Sequence, residues 1–364
     1  MSDKTIIKYT TPEQQISSLK GKGLIFQDEA TAIRSLSEHG YFNIINSYKS
    51  PYIEFTDHKK IYKPGTTFEQ IYSLFTLDGS LRNSIMAAML DFEEHLRAAV
   101  ADVIAKAFGT NQEDYLKWEN FRDRHVTKER FGLRGILGTL RQNITSGKDP
   151  IKYYRENYGI VPPWILFRGT YFSTLVNFVH LFKSSQKEEL IQKLYPIGAE
   201  ESALTDIKRL FSDTLSICLE YRNLAAHGGR IYNYAPNTTF LLTDEVFKTF
   251  PDALPAHTNN DLSCGIAQLL FALNILNYGN PYNIINSTFS EEINRHCNMY
   301  PNDAPYLQEI CGIKITKKHV VYVSPNTKKY HLNPNCSGIR NAHLVPYEVA
   351  LQDGYLPCKR CIKQ

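Results

Sequence analysis

This 364-residue sequence lacks long hydrophobic runs, a secretion signal and a cysteine framework. No uninterrupted apolar run reaches the roughly 18 residues that a membrane span needs, and segment 1–15 has no signal-peptide core. Most of the seven cysteines are spread singly, unlike those of small disulfide-rich secreted proteins: Cys218, Cys264, Cys297 and Cys311. We therefore expect a cytoplasmic protein with reduced, mostly buried cysteines and no membrane partner.

Two signatures of phosphate chemistry are also missing. The sequence has neither a glycine-rich phosphate loop nor paired carboxylates for a catalytic metal, which argues against nucleotide transfer and predicts no catalytic metal. It has no internal repeat either. A hydrophobic content of 43% with 12% aromatics is enough to bury a large core in two or three units.

Helical periodicity dominates the first 290 residues. Between Asp78 and Phe108, apolar residues recur every three or four positions, with Asp78 as the expected N-cap and Gly109 as the stop. Further helices are predicted over 28–39, 67–76, 112–118, 132–144, 164–184, 186–195, 199–226 and 260–277. The fold class is therefore mainly α, with a helical domain over 1–285, a connector over 286–316 and a second unit over 317–364.

The segment from Arg222 to Asn233 carries the most informative motif. An arginine keeps its charge and offers a donor fork to phosphate, while a histidine titrates near neutrality. Arg222 and His227 are five positions apart, or about 140° around a helix, so they do not share a face. Gly228-Gly229 predicts that the helix ends here. We expect His227, which lies in the final turn, to curl back towards Arg222. Several donors would then converge on one phosphate.

The R-x4-H spacing, together with the following R-x-Y-N, resembles the HEPN ribonuclease signature. More narrowly, the chain resembles the abortive-infection (Abi) proteins of bacteria, of the AbiD/AbiF-like kind, over about residues 15–285. Supporting segments are Gly40-Tyr41-Phe42, Leu81-Arg82, Glu94-x2-Arg97 and Pro163-Trp164. In one respect the chain departs from the pattern, because Arg168 stands where many relatives carry an acid.

This resemblance implies a HEPN-type helical bundle and a metal-independent endoribonuclease. Its catalytic residues would be Arg222, Asn223 and His227, with the 2′-hydroxyl of RNA as nucleophile and a 2′,3′-cyclic phosphate as product. Arg230, Tyr232 and Asn233 would contact the substrate. HEPN nucleases pair their R-x4-H helices, so a homodimer is expected, and a structured RNA partner is conceivable.

The sequence also allows structural roles for these residues. Arg222 could instead pair with Glu220 or Asp213, Asn223 could cap the bend, and Tyr232 and Tyr234 could be core residues. Arg97 could form a surface ion pair with Glu93 or Glu94, or belong to a network near the site. Two rival functions also remain: a non-catalytic RNA-binding module, and a toxin or regulator that acts through protein contacts.

The period changes to that of strands near the C-terminus. Val320–Val323 and Lys328–Leu332 predict a hairpin, followed by a short helix over Tyr347–Gln352. Four ligands suited to structural Zn²⁺ surround these elements: His331, Cys336, Cys358 and Cys361, with His343 as a rival for His331. The segment is similar to Ada-type zinc modules, and metal binding would supply much of its stability.

Positive charge is concentrated in two places. Residues 321–364 hold six Lys or Arg and two acids, so the whole net charge of +4 lies in the tail, where we expect Lys359 and Arg360 to bind RNA. A second basic segment comprises Arg122, Arg124, His125, Lys128, Arg130 and Arg134. Either segment could follow a phosphate backbone. The alternatives are a solvated face for the basic segment and a metal-stapled protein contact for the tail.

Overall fold

One long helix, α3 (Phe68–Phe108), runs through the centre of the fold. In our computed structural model, which describes residues 9–56, 59–124, 126, 128–251, 265–315, 320–324, 327–331, 336 and 342–360, this helix has 41 residues. The Thr67 hydroxyl caps its start by accepting the Gln70 N–H at 3.1 Å, and Gly109, with φ of 83°, follows its end. The sequence predicts two helices here with Asp78 as an N-cap, which is wrong. Asp78 lies fully buried inside a single helix.

The other helices of the body surround α3. The chain is mainly helical, as predicted, and α9, α11 and α14 all pack directly on α3. The helices are α1 (Pro12–Lys20), α2 (Glu29–His39), α4 (Gln112–Tyr115), α5 (Leu133–Ile144), α6 (Ile151–Tyr158), α7 (Pro163–Leu166), α8 (Phe172–Val179), α9 (Ser184–Leu194), α10 (Ala199–Ala203), α11 (Thr205–Ala226), α12 (Asp244–Thr249), α13 (Gly265–Asn274), α14 (Asn280–Met299) and α15 (Ala304–Cys311).

The helix predicted over 164–184 is divided in the structure. A single 3₁₀ turn, Phe167–Gly169, follows α7, and α8 then starts at Phe172. Two hydrogen bonds of Thr170 stabilise this break. Its hydroxyl donates to Leu166 O at 2.9 Å, and its carbonyl oxygen accepts from Arg97 at 2.9 Å. Thr170 therefore interrupts the apolar helical pattern.

The connector predicted over 286–316, from turn formers that include Asn280-Pro281 and Pro301-Asn302, is not irregular. Most of it is helical, within α14 and α15. Side chains of these helices belong to the same buried core as α3, including Phe289, Ile293 and Leu307. Prolines within the first turn of each helix explain the mistake, because proline is tolerated there and still reads as a break.

A buried polar network ties the beginning of the body to its end. Asp303 accepts hydrogen bonds from the Tyr52 hydroxyl at 2.7 Å and from Gln70 at 2.9 Å, and it contacts His296 Nε2 at 2.9 Å. His296 Nδ1 lies 2.9 Å from the Ser73 hydroxyl. Burial favours the neutral carboxyl, but these hydrogen bonds outweigh it and lower the pKa of Asp303. The Ser-His-Asp order resembles a catalytic triad, yet all three residues are buried, so their role is structural.

Two small sheets complete the fold. Near the N-terminus, β1 (Ile53–Thr56) pairs antiparallel with β2 (Lys59–Tyr62). The C-terminal sheet has the order β5-β3-β4-β6 and consists of β3 (Val320–Ser324), β4 (Thr327–His331), β5 (His343–Pro346) and β6 (Leu356–Pro357). Helix α16 (Tyr347–Gln352) packs on β3 and β5. The predicted hairpin and short helix are therefore confirmed.

Candidate functional site

The R-x4-H segment lies at the C-terminal end of α11. Gly228 takes φ of 71°, its N–H binds Ala225 O at 3.2 Å, and the Gly229 N–H binds Leu224 O at 2.9 Å. This pair of bonds is the Schellman motif, in which a left-handed glycine satisfies the last carbonyls of a helix. The helix end predicted from Gly228-Gly229 is confirmed.

Arg222 stands on the last regular turns of α11 without an acidic partner. Among the described residues, no carboxylate lies within 4.0 Å of its guanidinium, and its Nε is buried without a hydrogen bond. Both alternatives from the sequence are occupied elsewhere. Glu220 accepts from the Tyr234 hydroxyl at 2.9 Å and from the Thr238 N–H at 3.1 Å, while Asp213 lies 3.7 Å from Arg209. The charge of Arg222 is therefore available to an anion.

His227 is exposed, but it does not curl back as expected. Its backbone, at φ −97° and ψ 12°, still donates to Asn223 O at 3.1 Å, so the chain reverses only at Gly228. The helical angle of about 140° between Arg222 and His227 is therefore retained. No hydrogen bond joins the two side chains. The Arg222 guanidinium instead approaches Asn223 Oδ1 at 3.4 Å.

Asp78 and Arg82 of α3, which the sequence does not place at the site, hold the chain that leaves this helix end. Asp78 Oδ1 accepts the N–H groups of Ile231 and Tyr232, each at 2.8 Å. Arg82 Nε donates to Gly229 O at 3.1 Å, and Arg82 pairs with Asp78 at 3.1 Å. The i,i+4 spacing of Asp78 and Arg82 and the Leu81-Arg82 segment of the resemblance are signals that could have identified them.

Asp78 is the most deeply buried carboxylate of this region. Burial raises its pKa, and hydrogen bonds from the Tyr48 hydroxyl and the two backbone N–H groups offset only part of that effect. The Tyr48 hydroxyl donates at 2.7 Å, and burial beside Asp78 raises the pKa of Tyr48. Asp78 thus uses one carboxylate oxygen to hold Ile231 and Tyr232 against α3 and the other to bind Tyr48 and Arg82.

The predicted substrate-contacting residues fall into different environments. Arg230 is exposed, although its guanidinium donates to Ser47 O at 2.5 Å. Asn233 is half-buried. Tyr232 is only 1% exposed and its ring stacks on that of Tyr48, with 6.0 Å between centroids. Tyr232 is therefore a core residue, which contradicts the prediction that its side chain contacts RNA.

The acid-arginine pair on α3 involves a different glutamate from the one in the family pattern. Arg97 forms its ion pair with Glu93, which is buried, whereas Glu94 is exposed. Arg97 also donates to Thr170 O at 2.9 Å. Glu93 and Arg97 therefore connect α3 to the start of α8, and Trp164 and Arg168 remain exposed nearby in sequence.

The basic segment forms an exposed surface between α4 and α5. Arg122, Lys128, Arg130 and Arg134 are exposed, and the Arg130 guanidinium lies 4.6 Å from the Phe131 ring centre. Arg124 is half-buried, and burial next to Arg122 lowers its pKa. His125 lies outside the described residues. The exposed guanidinium and ammonium groups are free of carboxylate partners in the described part of the chain, as a phosphate-binding face requires.

Three of the predicted metal ligands come together in the C-terminal sheet. The ligand atoms of His331, Cys336 and Cys358 all lie within 4.8 Å of one another, and the two sulfurs are 3.9 Å apart. All three residues are buried. Burial and Lys329 lower the pKa of His331, which favours the neutral imidazole that binds metals. The donor set and its spacing are compatible with Zn²⁺.

The remaining two candidates for the metal group are distinguished by position. Cys361 lies outside the described residues. His343 is exposed at the edge strand β5, opposite Val323, and is not part of the cluster. His331 and Cys358 line a cavity of about 560 Å³ whose wall also includes Lys328, Lys329, Lys359 and Arg360. Candidate metal ligands and these four cations therefore lie around the same cavity.

A comparison with protein families identifies the helical body. Residues 34–233 match the model of the Abi-like protein family. The chain belongs to the Abi-like family. No curated protein and no solved structure matches it. The family match ends at Asn233 and so includes both the R-x4-H segment and the Asp78–Arg82 pair of this Abi-like chain.

Membership of the Abi-like family suggests a role in abortive infection. The C-terminal sheet and its metal group lie beyond the matched residues, so the family does not account for them. Among the described helices, none combines the length and the hydropathy that crossing a bilayer requires.

Proposed function

We propose that this protein is a HEPN-type endoribonuclease of a bacterial abortive-infection system. The observation that carries the proposal is Arg222, a cation at the end of α11 with no acidic partner among the residues that the structure describes, five positions before the exposed His227. Both residues lie inside the Abi-like match. A fixed positive charge and a titratable imidazole are sufficient to cleave a phosphodiester without a catalytic metal.

In the proposed reaction, the 2′-hydroxyl of RNA attacks the adjacent phosphorus and the 5′-oxygen of the next nucleotide leaves. A 2′,3′-cyclic phosphate remains. His227 acts as general base or acid, Arg222 stabilises the charge of the phosphorane, and Asn223 orients the imidazole or the 2′-oxygen. Arg230 and Asn233, on the segment held by Asp78, position the substrate.

The site is proposed to be shared between two copies of the chain. One histidine does not easily serve as both base and acid in a single step, and the retained angle of about 140° keeps Arg222 and His227 of one α11 apart. If two α11 helices pair at their C-terminal ends, each Arg222 can face the His227 of the other copy. A homodimer therefore completes the constellation.

The C-terminal module is proposed to be a structural zinc module that holds RNA. His331, Cys336 and Cys358, with Cys361 as fourth ligand, would form a closed Cys3His site in which Zn²⁺ supplies folding energy. The lysines and Arg360 beside it would bind the phosphate backbone of the substrate or of a bound structured RNA. Arg122, Arg124, Lys128 and Arg130 would extend the same contact on the body.

The test is cleavage of end-labelled total RNA by the purified full chain in excess EDTA. We expect wild type to cleave and to leave cyclic phosphate ends, while Arg222→Ala and His227→Ala lose activity by at least about a hundredfold. His343→Ala is the matched control, because His343 is also an exposed histidine but lies outside the R-x4-H segment. It should cleave like wild type.

Other outcomes would favour the two rival functions. If His227→Ala binds and cleaves like wild type, the imidazole has no catalytic role. A non-catalytic RNA-binding protein follows if no form cleaves but all bind RNA with a steep salt dependence. A toxin or regulator that acts through protein contacts follows if RNA is not bound at all.

A further inference from the structure

A cavity of about 340 Å³ opens at the beginning of α11, far from the R-x4-H segment at its end. Eight residues line it, of which four are basic and none is acidic. Seven of the eight are polar: Arg122, Ser184, Lys187, Thr205, Lys208, Arg209 and Ser212. Along the helix axis, Lys208 and Arg222 are about 21 Å apart, because each residue rises 1.5 Å.

Only part of this positive charge is neutralised by the protein. Lys208 pairs with Glu188 at 2.5 Å, and Arg209 lies 3.7 Å from Asp213. Neither Arg122 nor Lys187 has a carboxylate within 4.0 Å among the described residues. Two cations in the cavity therefore remain without a counter-ion.

Lys187 makes this excess charge costly. It is only 7% exposed, and the hydrogen bond from its ammonium goes to the uncharged Ser212 hydroxyl at 3.2 Å. Burial, together with Arg122, Arg124 and Lys208, lowers its pKa to about 8. Burial, together with Arg124, Lys187 and Arg122, lowers the pKa of His180 to about 3. An ammonium that is buried without an anion destabilises the fold, and a bound anion would relieve that cost.

Two helices begin at the wall of the cavity. Ser184 is the first residue of α9, and Thr205 is the first residue of α11. Neither helix has a side chain that caps its first N–H groups. These N–H groups carry partial positive charge and commonly bind phosphate. They add neutral donors to a wall that already contains unpaired cations.

We propose that this cavity binds a phosphoryl group. Unpaired cations, uncapped helix N-termini and hydroxyl groups are hydrogen-bond donors suited to phosphate. A bound phosphate would also neutralise the buried ammonium of Lys187. The proposal does not depend on nuclease activity, since a phosphate could bind here whether or not Arg222 and His227 cleave RNA. The phosphate can belong to RNA or to a small phosphorylated compound.

Calorimetric titration of the full chain with inorganic pyrophosphate, at an ionic strength held constant with chloride, tests the proposal. We expect saturable binding to wild type that Lys187→Met weakens by at least about tenfold, because a charge-assisted contact is lost. Lys193→Met is the matched control. Lys193 lies on the same helix α9 but pairs with Asp102 at 2.5 Å, outside the cavity, so its replacement should leave binding unchanged.

Thermal unfolding separates a ligand site from a structural lysine. In the absence of phosphate, Lys187→Met should unfold at the same temperature as wild type or a higher one, because an uncompensated buried charge is removed. If this variant fails to fold, Arg122→Gln at the exposed rim replaces it and should weaken pyrophosphate binding likewise. Absence of pyrophosphate binding to wild type, or unchanged binding by both variants, would overturn the proposal.

Competition identifies the natural source of the phosphate. A fluorescent RNA that pyrophosphate displaces from wild type, and that Lys187→Met binds more weakly, would place an RNA phosphate in the cavity. If RNA binding ignores both pyrophosphate and Lys187→Met while pyrophosphate still binds, the ligand is a small phosphorylated compound. The Arg222→Ala variant should bind pyrophosphate normally in either case.

Discussion

The helical body and the C-terminal module differ in the size of their buried apolar cores. In the body, one continuous buried core runs from α1 to α15. In the described part of the module, the buried apolar cluster consists only of Val321, Val323, Tyr330 and Ala350. A core of that size is too small to offset the entropy of ordering the chain. The body is therefore stabilised by extensive apolar burial, whereas the described part of the module has little apolar core of its own.

Polar groups differ between the two regions in the same way. The body buries carboxylates that are already saturated by hydrogen bonds, such as Asp78 and Asp303, and uses them to join distant segments. The module instead collects two sulfurs and an imidazole that can share one ion. Buried polar atoms thus join distant segments of the body by hydrogen bonds, whereas in the module they form a candidate metal site.

Metal removal should separate the regions most clearly. We expect the full chain to contain about one zinc, and a strong zinc chelator should unfold the module while leaving the body folded, because structural zinc contributes on the order of 10 kcal/mol to such modules. Hydrogen exchange measures this directly. Amide protection should vanish in β3 and β4 and persist in α3.

Cysteine variants check that the effect is due to the ligand group. Cys336→Ala should reproduce the chelated state, whereas Cys218→Ala, a buried cysteine of α11, should keep its zinc. If β3 and β4 remain protected in metal-free protein, the small apolar core is sufficient and the contrast between the regions is wrong.

Within the body, removal of Asp78 should have the largest effect. Asp78→Ala leaves two backbone N–H groups and the Arg82 guanidinium without their acceptor, which should cost about 3–5 kcal/mol of unfolding free energy. Urea unfolding followed by helical circular dichroism measures the loss. Cleavage of RNA should fall as well, because residues 229–232 are no longer held against α3.

Asp91→Ala serves as the matched control on the same helix. Asp91 accepts from the Tyr278 hydroxyl at 3.0 Å and from Asn280 at 2.8 Å, but it is half-exposed, so water can replace it. We expect a loss of about 1 kcal/mol and unchanged cleavage. Equal losses for the two variants would mean that Asp78 is no more than an ordinary hydrogen-bond acceptor.

Much of this architecture could be predicted from the sequence, because periodicity and glycine signals are local. The main helices, the C-terminal hairpin, α16 and the helix end at Gly228 follow from them. Asp78 shows where such reasoning fails. A polar residue ahead of an apolar stripe reads as an N-cap, and only the packing of residues 231 and 232 against α3 reveals that it is an internal acceptor.

The site could be predicted in its residues but less well in its geometry. The spacing of Arg222 and His227, and that of the three candidate metal ligands, can be read from the sequence. The point at which the chain reverses after His227 depends on which residue takes the left-handed conformation, and the burial of Tyr232 depends on its contact with Tyr48. The choice of Glu93 over Glu94 as the partner of Arg97 depended likewise on which helix face meets α8. Spacing alone does not encode these tertiary contacts.

Substitution of Glu93 tests whether the buried carboxylates of the body stabilise the packing of its segments. Glu93→Ala should cost about 2 kcal/mol of unfolding free energy, because Arg97 loses its partner at a largely buried position. Glu94→Ala, one residue away but exposed, should change stability by less than about 0.5 kcal/mol. Urea unfolding of both variants decides, and equal small effects would indicate a surface ion pair.

The smallest predicted effect concerns the turn after His227. A Cβ on Gly229 would lie 2.1 Å from Leu224 Cδ1, so Gly229→Ala must displace a half-buried leucine and should cost about 1 kcal/mol. Gly138→Ala is the opposite case, because nothing lies within 4 Å of a Cβ there, and alanine in the middle of α5 should stabilise by about 0.5–1 kcal/mol. Thermal unfolding should therefore shift in opposite directions. If Gly229→Ala is as stable as wild type or more stable, Leu224 has room to move and the contact does not fix the turn after His227.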